Sequence, residues 1–247
     1  MKYVGSKNRL SKELAPIIQS YITEDTKGYF EPFVGGANMI DKIKSNNRIG
    51  CDIHEELIEL LKYLQDLNNK LPQHISEDEY KKVKDNKLEY PKWYVGLVGF
   101  NASFGAKYFN GYARSVKADK ITHRDMSNEA IRNLEKQRVN LADIKFYNKS
   151  FLDLNKNKIK DYVIYCDIPY KETLEYETNP FPYDEFYNWC EYLSENNVVL
   201  ISEYDMPSDR FECIWSKNHK VGINQGSHKD RVEKLFIVKG DKTWELS

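Results

Sequence analysis

The chain has 247 residues, of which 40% are hydrophobic and 30% are charged, and its formal net charge is -1. This length allows a large core, either as one domain with an insertion or as two small domains. There is no apolar run long enough to cross a bilayer, no secretion-signal pattern, and no metal-ligand spacing among the four cysteines and five histidines; we therefore expect a cytoplasmic protein without a metal site.

Positive charge is concentrated in the middle of the chain. Between Lys81 and Phe146 there are 14 lysine and arginine residues against 7 aspartate and glutamate residues, so the flanking segments are acidic. A basic segment between acidic flanks is expected where one insertion contacts the phosphates of a nucleic acid. A solvated charged surface gives the same pattern, and charge alone does not separate the two.

The first part of the chain predicts a helix and a strand that leads into a glycine turn. The helix spans Leu10 to Ser20, although Pro16 argues against its being regular. The strand begins at Gly28 and runs into Gly35-Gly36, before a second predicted helix. Glycines at such a turn let the backbone approach a ligand, and a helix N-terminus supplies hydrogen-bond donors.

A second strand, Arg48 to Ile53, carries an acid near its end. Asp52 follows Gly36 by 16 residues, a spacing that suits an acid binding ribose hydroxyls. A glycine turn followed by an acid at a strand end is typical of a site for an adenosine-bearing cofactor. The next segment, Leu57 to Leu67, has apolar residues at helical spacing and predicts a packing helix.

From about Asp78 to Leu141 the pattern changes to charged helices around an aromatic, glycine-rich centre. Within this centre, Asn110-Gly111 between aromatic flanks predicts a β-hairpin. A hairpin of this kind could enter a DNA groove or wedge a base step. The alternative is an aromatic loop that packs on its own domain. The predicted DNA-contacting residues are Lys107, Tyr108, Asn110, Tyr112 and Arg114.

After this segment the sequence again alternates between strands and helices. A strand from Ile144 to Tyr147 leads to Asp153, and an apolar strand from Tyr162 to Cys166 leads to Asp167-Ile168-Pro169-Tyr170. Pro169 lacks a backbone donor and keeps Ile168 out of the helical region, so the strand ends in a rigid bend. An ordinary exit from strand to loop has the same composition. The remaining predicted elements are a helix 183–195, a strand 197–204, and an antiparallel pair 211–215 and 232–238 with a polar loop 224–231 between them.

In this order, the motifs resemble those of Dam-like DNA adenine methyltransferases. Tyr3-Val4-Gly5-Ser6-Lys7 resembles the family's N-terminal motif, with serine in place of its second glycine. The stretch Glu31-Pro32-Phe33-Val34-Gly35-Gly36-Ala37 resembles the cofactor loop. Asp52 resembles the ribose-binding acid, and Asp153 an acid that meets the cofactor's adenine. Asp167-Ile168-Pro169-Tyr170 resembles the signature Asp-Pro-Pro-Tyr, with isoleucine at its second position.

The resemblance implies a Rossmann-like α/β fold that binds S-adenosylmethionine and methylates adenine N6 in double-stranded DNA. It implies a catalytic domain of residues 1–56 and 142–247 and a mainly helical recognition insertion of residues 57–141 that carries the hairpin. It implies that Tyr3, Lys7, Glu31, Phe33, Gly35, Gly36, Asp52, Asp153 and Asp167 bind the cofactor. It implies a catalytic role for Asp167, Ile168, Pro169 and Tyr170.

The resemblance also implies a bacterial or phage-infected cell and allows a restriction endonuclease as a partner. Two alternatives stay open at this point. One is a methyltransferase that acts on cytosine N4 or on RNA with the same fold. The other is a DNA-binding relative that has lost catalysis, with Ile168 as its mark.

Overall fold

The computed structural model describes residues 1–116, 123–170, 181–224 and 227–240. Its strands are β1 (Gly28–Glu31), β2 (Arg48–Asp52), β3 (Ser115–Val116), β4 (His123–Arg124), β5 (Ile144–Asn148), β6 (Tyr162–Asp167), β7 (Val198–Glu203), β8 (Phe211–Asn224) and β9 (Ser227–Val238). Within the described residues, one sheet has seven strands in the order β5-β2-β1-β6-β7-β9-β8. The first five strands in this order, β5, β2, β1, β6 and β7, are parallel to one another. Strand β9 is antiparallel to both β7 and β8. The predicted α/β sheet is therefore confirmed.

Helices cover both faces of the sheet. The α-helices are α1 (Ser11–Ser20), α2 (Glu55–Gln65), α3 (Glu77–Asp85), α4 (Lys92–Gly96), α5 (Met126–Arg138) and α6 (Tyr183–Ser194). Short 3-10 helices span Lys7–Arg9, Ile40–Lys42, Lys87–Glu89, Phe104–Ala106, Phe151–Asp153 and Lys156–Lys158, and a π-helical turn spans Leu97–Asn101. Helix α1 continues through Pro16. None of the helices in the described segments is long and apolar enough to cross a membrane.

The core has two clusters, one on each face of the sheet. Neighbouring residues of a strand point to opposite faces; accordingly, Tyr29 of β1 lies in the first cluster and Phe30 in the second. The first cluster also contains the apolar residues of α1, α2 and α5, and the second contains those of α6. Helices on both faces explain why the central strands β6 and β7 are apolar as far as Cys166 and Ile201.

The predicted insertion packs on the first cluster. Tyr80 and Val83 of α3 and Phe109 are buried in the same cluster as strand residues of the main sheet. Helix α4 lies so close to α2 that a Cβ added to Gly96 would be 2.2 Å from the carbonyl oxygen of Glu56. Residues 57–141 thus share a core with the sheet, and their division into a separate recognition domain stays a prediction.

Two predicted local structures are wrong, one after β1 and the other between β8 and β9. The glycine turn leads into the short 3-10 helix Ile40–Lys42 and not into an α-helix, and the side chains of Ile40 and Ile43 are buried in the core. The predicted polar loop 224–231 lies mostly in a long hairpin, in which β8 and β9 pair as far as Asn224 and Ser227. Residues 225–226 lie outside the described residues. Backbone pairing with β8 therefore decides the conformation of this polar stretch.

The predicted hairpin around Asn110-Gly111 is also wrong. The segment 103–112, which we call the aromatic loop, is closed by a single antiparallel bridge between Ser103 and Tyr112. The N–H of Phe104 donates to the carbonyl oxygen of Gly111 at 2.8 Å, and Phe109 has a φ of 48°, which regular strand pairing does not allow. The loop is stabilised by Phe109, which is buried in the first cluster, and by Tyr108 and Tyr112, which pack against that cluster, and not by strand pairing. The antiparallel pair β3–β4 follows it, and residues 117–122 lie outside the described part.

Candidate active site

The carboxyl ends of two neighbouring strands define the site. β1 and β6 pair in parallel, but the chain continues from β1 to β2 on one side and from β6 to β7 on the other. In open α/β sheets, ligands bind in the crevice outside the strand ends at such a reversal. Asp167 is the last residue of β6, and Glu31 is the last residue of β1. The topology therefore places the predicted catalytic bend beside the predicted cofactor loop.

Gly35 and Gly36 lie against the ring of Tyr3. A Cβ added to Gly35 would lie 2.8 Å from Tyr3 Cε1, and a Cβ added to Gly36 would lie 2.8 Å from Tyr3 Cβ. Gly35 also has a φ of 46°, in the left-handed region that favours glycine. Three residues predicted to bind the cofactor are therefore in direct contact, and two of them have to be glycine for steric reasons.

Asp52 fixes the position of this glycine turn. Its Oδ2 accepts a hydrogen bond from the backbone N–H of Gly35 at 3.0 Å, and its Oδ1 accepts one from the N–H of His54 at 3.0 Å. Burial raises the pKa of the Asp52 carboxyl group, and the two backbone donors offset part of that effect. A carboxylate has about four lone-pair positions, so Asp52 keeps acceptor capacity for a ligand hydroxyl.

The other predicted cofactor residues have different surroundings. Glu31 is buried and accepts a hydrogen bond from the hydroxyl of Tyr29 at 2.7 Å, and this burial raises the pKa of Glu31 well above its usual value. The ring of Phe33 packs on Phe151, with 5.5 Å between centroids. Asp153 is exposed at the end of a 3-10 helix. Of these side chains, Asp153 is the one that solvent reaches most freely.

A cluster of charged and aromatic side chains surrounds Asp167. Lys7 Nζ lies 2.6 Å from Asp167 Oδ1 and 3.6 Å from Glu233 Oε1. The hydroxyl of Tyr170 donates a hydrogen bond to Glu233 Oε1, and Lys7 Nζ lies 4.5 Å from the centre of the Tyr170 ring. The rings of Tyr170 and Tyr204 pack edge to face, with 4.3 Å between their centroids. The chain thus gathers residues from its beginning, middle and end around one carboxylate.

Asp167 is the most exposed of the three charged groups in this cluster. The side chain of Asp167 is 26% exposed, against 6% for Lys7 and 2% for Glu233. Burial acts to lower the pKa of Lys7, but the neighbouring carboxylates, Asp167 foremost, raise it above its ordinary value. Burial raises the pKa of both carboxyl groups, while Lys7 acts in the opposite direction. The lysine therefore stays charged, and Asp167 is the acceptor that a ligand can reach.

A comparison with family models agrees with this arrangement. The model described as D12 class N6 adenine-specific DNA methyltransferase matches residues 3–217. The chain belongs to this family. It is therefore an enzyme that transfers a methyl group from S-adenosylmethionine to adenine N6 in DNA, which confirms the predicted activity, while the Dam-like subgroup stays a prediction. A comparison with curated proteins gives no match.

In this methyltransferase, the core and one hydrogen bond fix the bend after β6. Ile168, at the position of the first proline in the Asp-Pro-Pro-Tyr signature, is 3% exposed and packs in the second core cluster. The carbonyl oxygen of Pro169 accepts a hydrogen bond from the hydroxyl of Tyr183 at 2.7 Å. Burial of the isoleucine side chain thus supplies the rigidity that the missing proline would have given. Residues 171–180, which follow, lie outside the described part.

Sequence reasoning missed Glu233 of the methyltransferase. Glu233 lies on β9, two positions before Leu235 and four before Ile237, and both of these residues are fully buried. This period of two places the glutamate on the inward face of the strand. A carboxylate at a core-facing position of a strand is unusual unless it is paired. Phe236 and Val238, on the opposite face of β9, are buried as well, so the sequence shows no alternation that could have marked Glu233.

The residues predicted to contact DNA fall into two groups. The Tyr108 ring packs on His54, with 4.4 Å between centroids, and the Tyr112 hydroxyl donates to the carbonyl oxygen of Ile75 at 2.7 Å. Lys107, Asn110 and Arg114 are exposed, and Arg114 pairs with Glu77. The tyrosines thus pack on their own chain, as the alternative reading expected. Among the described residues, no group of three potential metal ligands is close enough to hold an ion.

Proposed function

We propose that the chain methylates adenine N6 within a specific sequence of double-stranded DNA, with Asp167 as the acceptor that activates the amine. The supporting observation is the accessible carboxylate at the end of β6, next to the glycine turn. The exocyclic amine of adenine is a poor nucleophile, because its lone pair is delocalised into the ring. Asp167 and the backbone carbonyl of Ile168 would accept its two hydrogens, which localises the lone pair and stabilises the charge that develops.

The remaining residues of the bend would hold the target base. Tyr170 would stack on an adenine that is flipped out of the duplex, because the amine cannot be reached within the stack. Pro169 restricts the backbone that presents the Ile168 carbonyl. Catalysis then depends mainly on positioning of the amine in line with the methyl donor.

The cofactor would lie against the glycine turn. Bound S-adenosylmethionine supplies an electrophilic methyl group on its sulfonium. The chain offers residues that fit it: close backbone at Gly35 and Gly36, the Tyr3 ring, and the carboxylate of Asp52 for ribose hydroxyls. We also propose Phe33 as a lining residue and Asp153 for the adenine end of the cofactor. Glu31 would act by supporting the turn, and Lys7 through its ion pair with Asp167.

Replacement of Asp52 by alanine is expected to weaken S-adenosylmethionine binding by about 10- to 100-fold, because a hydrogen bond to a charged group is lost. The turnover number at saturating cofactor should change much less. Isothermal titration calorimetry measures the first quantity and steady-state kinetics the second. Asp52→Asn keeps one acceptor oxygen, so its affinity for S-adenosylmethionine should lie between that of the wild-type protein and that of Asp52→Ala. Unchanged affinity in both variants would mean that Asp52 only fixes the turn.

We propose the segment 57–141 as the part that recognises DNA, with the aromatic loop as its contact surface. This loop stands near the carboxyl edge of the sheet, since Tyr108 packs on His54, two residues beyond β2. Lys107, Asn110 and Arg114 would contact DNA, while Tyr108 and Tyr112 would support the loop from inside. The aromatic side chain that the loop presents outward is Phe104, at 63% exposure. We therefore propose Phe104 as the residue that wedges the base stack.

Replacement of Phe104 by alanine is expected to lower methylation of an intact duplex by about tenfold or more, because aromatic stacking on a base contributes roughly 1–3 kcal/mol. A duplex with a mismatch at the target adenine should be affected less, because its base is already easy to flip. Rates on both duplexes measure the difference. Leu88→Ala removes a fully exposed apolar side chain outside the aromatic loop and serves as the control. Equal losses on both duplexes would exclude a wedge.

Transfer of a tritiated methyl group from S-adenosylmethionine to duplex DNA tests the proposed function as a whole. Nucleoside analysis of the product should show N6-methyladenine, and methylome sequencing of DNA from an expressing host should show one sequence context. Methylated cytosine or methylated RNA would point to a different acceptor. Binding without transfer would point to a relative without catalysis. A restriction endonuclease partner and the cytoplasmic location stay predictions.

A further inference from the structure

We infer that Glu233 is a positioning residue for methyl transfer, which takes over the ammonium group of Lys7 when the adenine amine binds to Asp167. The inference rests on the acceptor role of Asp167 proposed above. It assigns a function to a buried carboxylate from the end of the chain, which neither the bend nor the cofactor turn includes.

The first step is a conflict at Asp167. Lys7 Nζ lies 2.6 Å from Asp167 Oδ1, the distance of a charge-assisted hydrogen bond. An ammonium group at this distance competes with the adenine amine for the carboxylate lone pairs. Because Lys7 occupies a lone pair of Oδ1 and withdraws electron density from the whole carboxylate, Asp167 becomes a stronger acceptor when Lys7 moves away from it.

A lysine that leaves Asp167 needs another partner for its charge. Its side chain is 6% exposed, so a lysine that left Asp167 without another partner would be a buried, unpaired charge, which is strongly unfavourable. Glu233 Oε1 lies 3.6 Å from the same nitrogen. A shift of roughly 1 Å would bring this pair to charge-assisted hydrogen-bond distance. Glu233 is thus the nearby carboxylate that can accept the ammonium while Asp167 binds the base.

The backbone and side chain of Glu233 are both held in place. Glu233 lies on β9, whose next residue, Lys234, pairs with Glu203 of β7 in the antiparallel ladder. Its Oε1 also accepts the hydrogen bond from the Tyr170 hydroxyl. One fixed carboxylate therefore orients the ring proposed to stack on the base and offers a position for the lysine. This arrangement lets Lys7 move without displacing Tyr170.

Replacement of Glu233 by glutamine tests the exchange, because glutamine keeps an acceptor for Tyr170 and removes the charge. The turnover number is expected to fall by about tenfold to a hundredfold, the range for a hydrogen bond between charged groups. The KM for S-adenosylmethionine should change little. Tyr170→Phe is the matched control, since it removes the hydrogen bond between Tyr170 and Glu233, which glutamine would keep, and leaves the charge of Glu233. If Tyr170→Phe reproduces the whole loss, Glu233 acts through the tyrosine and the inference is overturned.

A double-mutant cycle with Lys7→Met separates the exchange from a merely structural role. Without the ammonium there is nothing to remove from Asp167, so Glu233→Gln should lower the turnover number much less in the Lys7→Met background than in the wild type. Equal costs in both backgrounds would overturn the inference. Melting curves accompany every variant, and Glu233→Asp, which keeps the charge, should retain more of the turnover number than Glu233→Gln.

A structure of the wild-type enzyme with a target duplex and an unreactive cofactor analogue gives a readout that needs no variant. We expect Lys7 Nζ within about 3 Å of Glu233 and no longer in contact with Asp167. A lysine still bound to Asp167 beside a flipped adenine would contradict the inference and leave the proposed function intact. Full activity of Asp167→Ala would instead overturn the acceptor role of Asp167 on which the inference rests.

Discussion

Replacement of Asp167 by alanine is expected to lower the turnover number for methyl transfer by about a hundredfold or more, the effect of losing one oriented acceptor in the transition state. DNA binding should stay nearly unchanged, because this carboxylate acts on the flipped base and not on the duplex. Single-turnover methylation assays and binding titrations measure the two effects separately.

The structure provides controls for this prediction. Loss of Asp167 leaves Lys7 with Glu233 at 3.6 Å, so the buried ammonium keeps a partner and the variant should fold. Asp205, 87% exposed and just beyond the end of β7, is the matched aspartate at the same edge of the sheet. Asp205→Ala should retain normal activity. Near-normal methylation by Asp167→Ala would remove this residue from the mechanism.

Replacement of Gly96 by alanine is expected to lower the free energy of unfolding by roughly 2 kcal/mol, which is the cost of severe overpacking in a core, about 3 kcal/mol, less the gain in helix propensity. The new Cβ would lie 2.2 Å from the Glu56 carbonyl oxygen, a backbone atom that cannot rotate away. The higher helix propensity of alanine returns only about 1 kcal/mol. A thermal denaturation curve should show a melting temperature lower by about 6 °C.

The shape of that transition also bears on the organisation of the chain. If α4 and α2 belong to one cooperative unit with the sheet, Gly96→Ala should shift a single transition. Lys92→Ala changes an exposed position of the same short helix and should have an effect within about 0.5 kcal/mol. A shift confined to one of two transitions would indicate that residues 57–141 unfold as a separate domain. An unchanged melting temperature would contradict the packing of α4 on α2.

Strand ends and short-range motifs could be predicted because local sequence determines them. An apolar run that stops at Asp167 and a bend restricted by Pro169 depend on neighbouring residues alone. The same holds for the strand that ends at Asp52. Because parallel strands place their carboxyl ends at one edge, these local features also predict that the acids share one side of the sheet.

The aromatic loop shows where local signals fail. Asn110-Gly111 is a strong turn signal, but Tyr108 and Tyr112 gain more by packing on His54 and Ile75 than by flanking a regular hairpin. Which aromatic residue of the loop is exposed depends on these distant contacts, so Phe104 was not identified from the sequence. Tertiary burial overrides β-turn preference at this position.

By itself, the sequence determined the α/β class, the order of the strands along the chain, the methyltransferase family and the bend that carries Asp167. The tertiary structure alone decided that Lys7 and Glu233, 226 positions apart in the numbering, meet at that carboxylate. The physical reason is that charge pairing in a buried site depends on distance in space, and the antiparallel return of β9 beside β7 sets that distance.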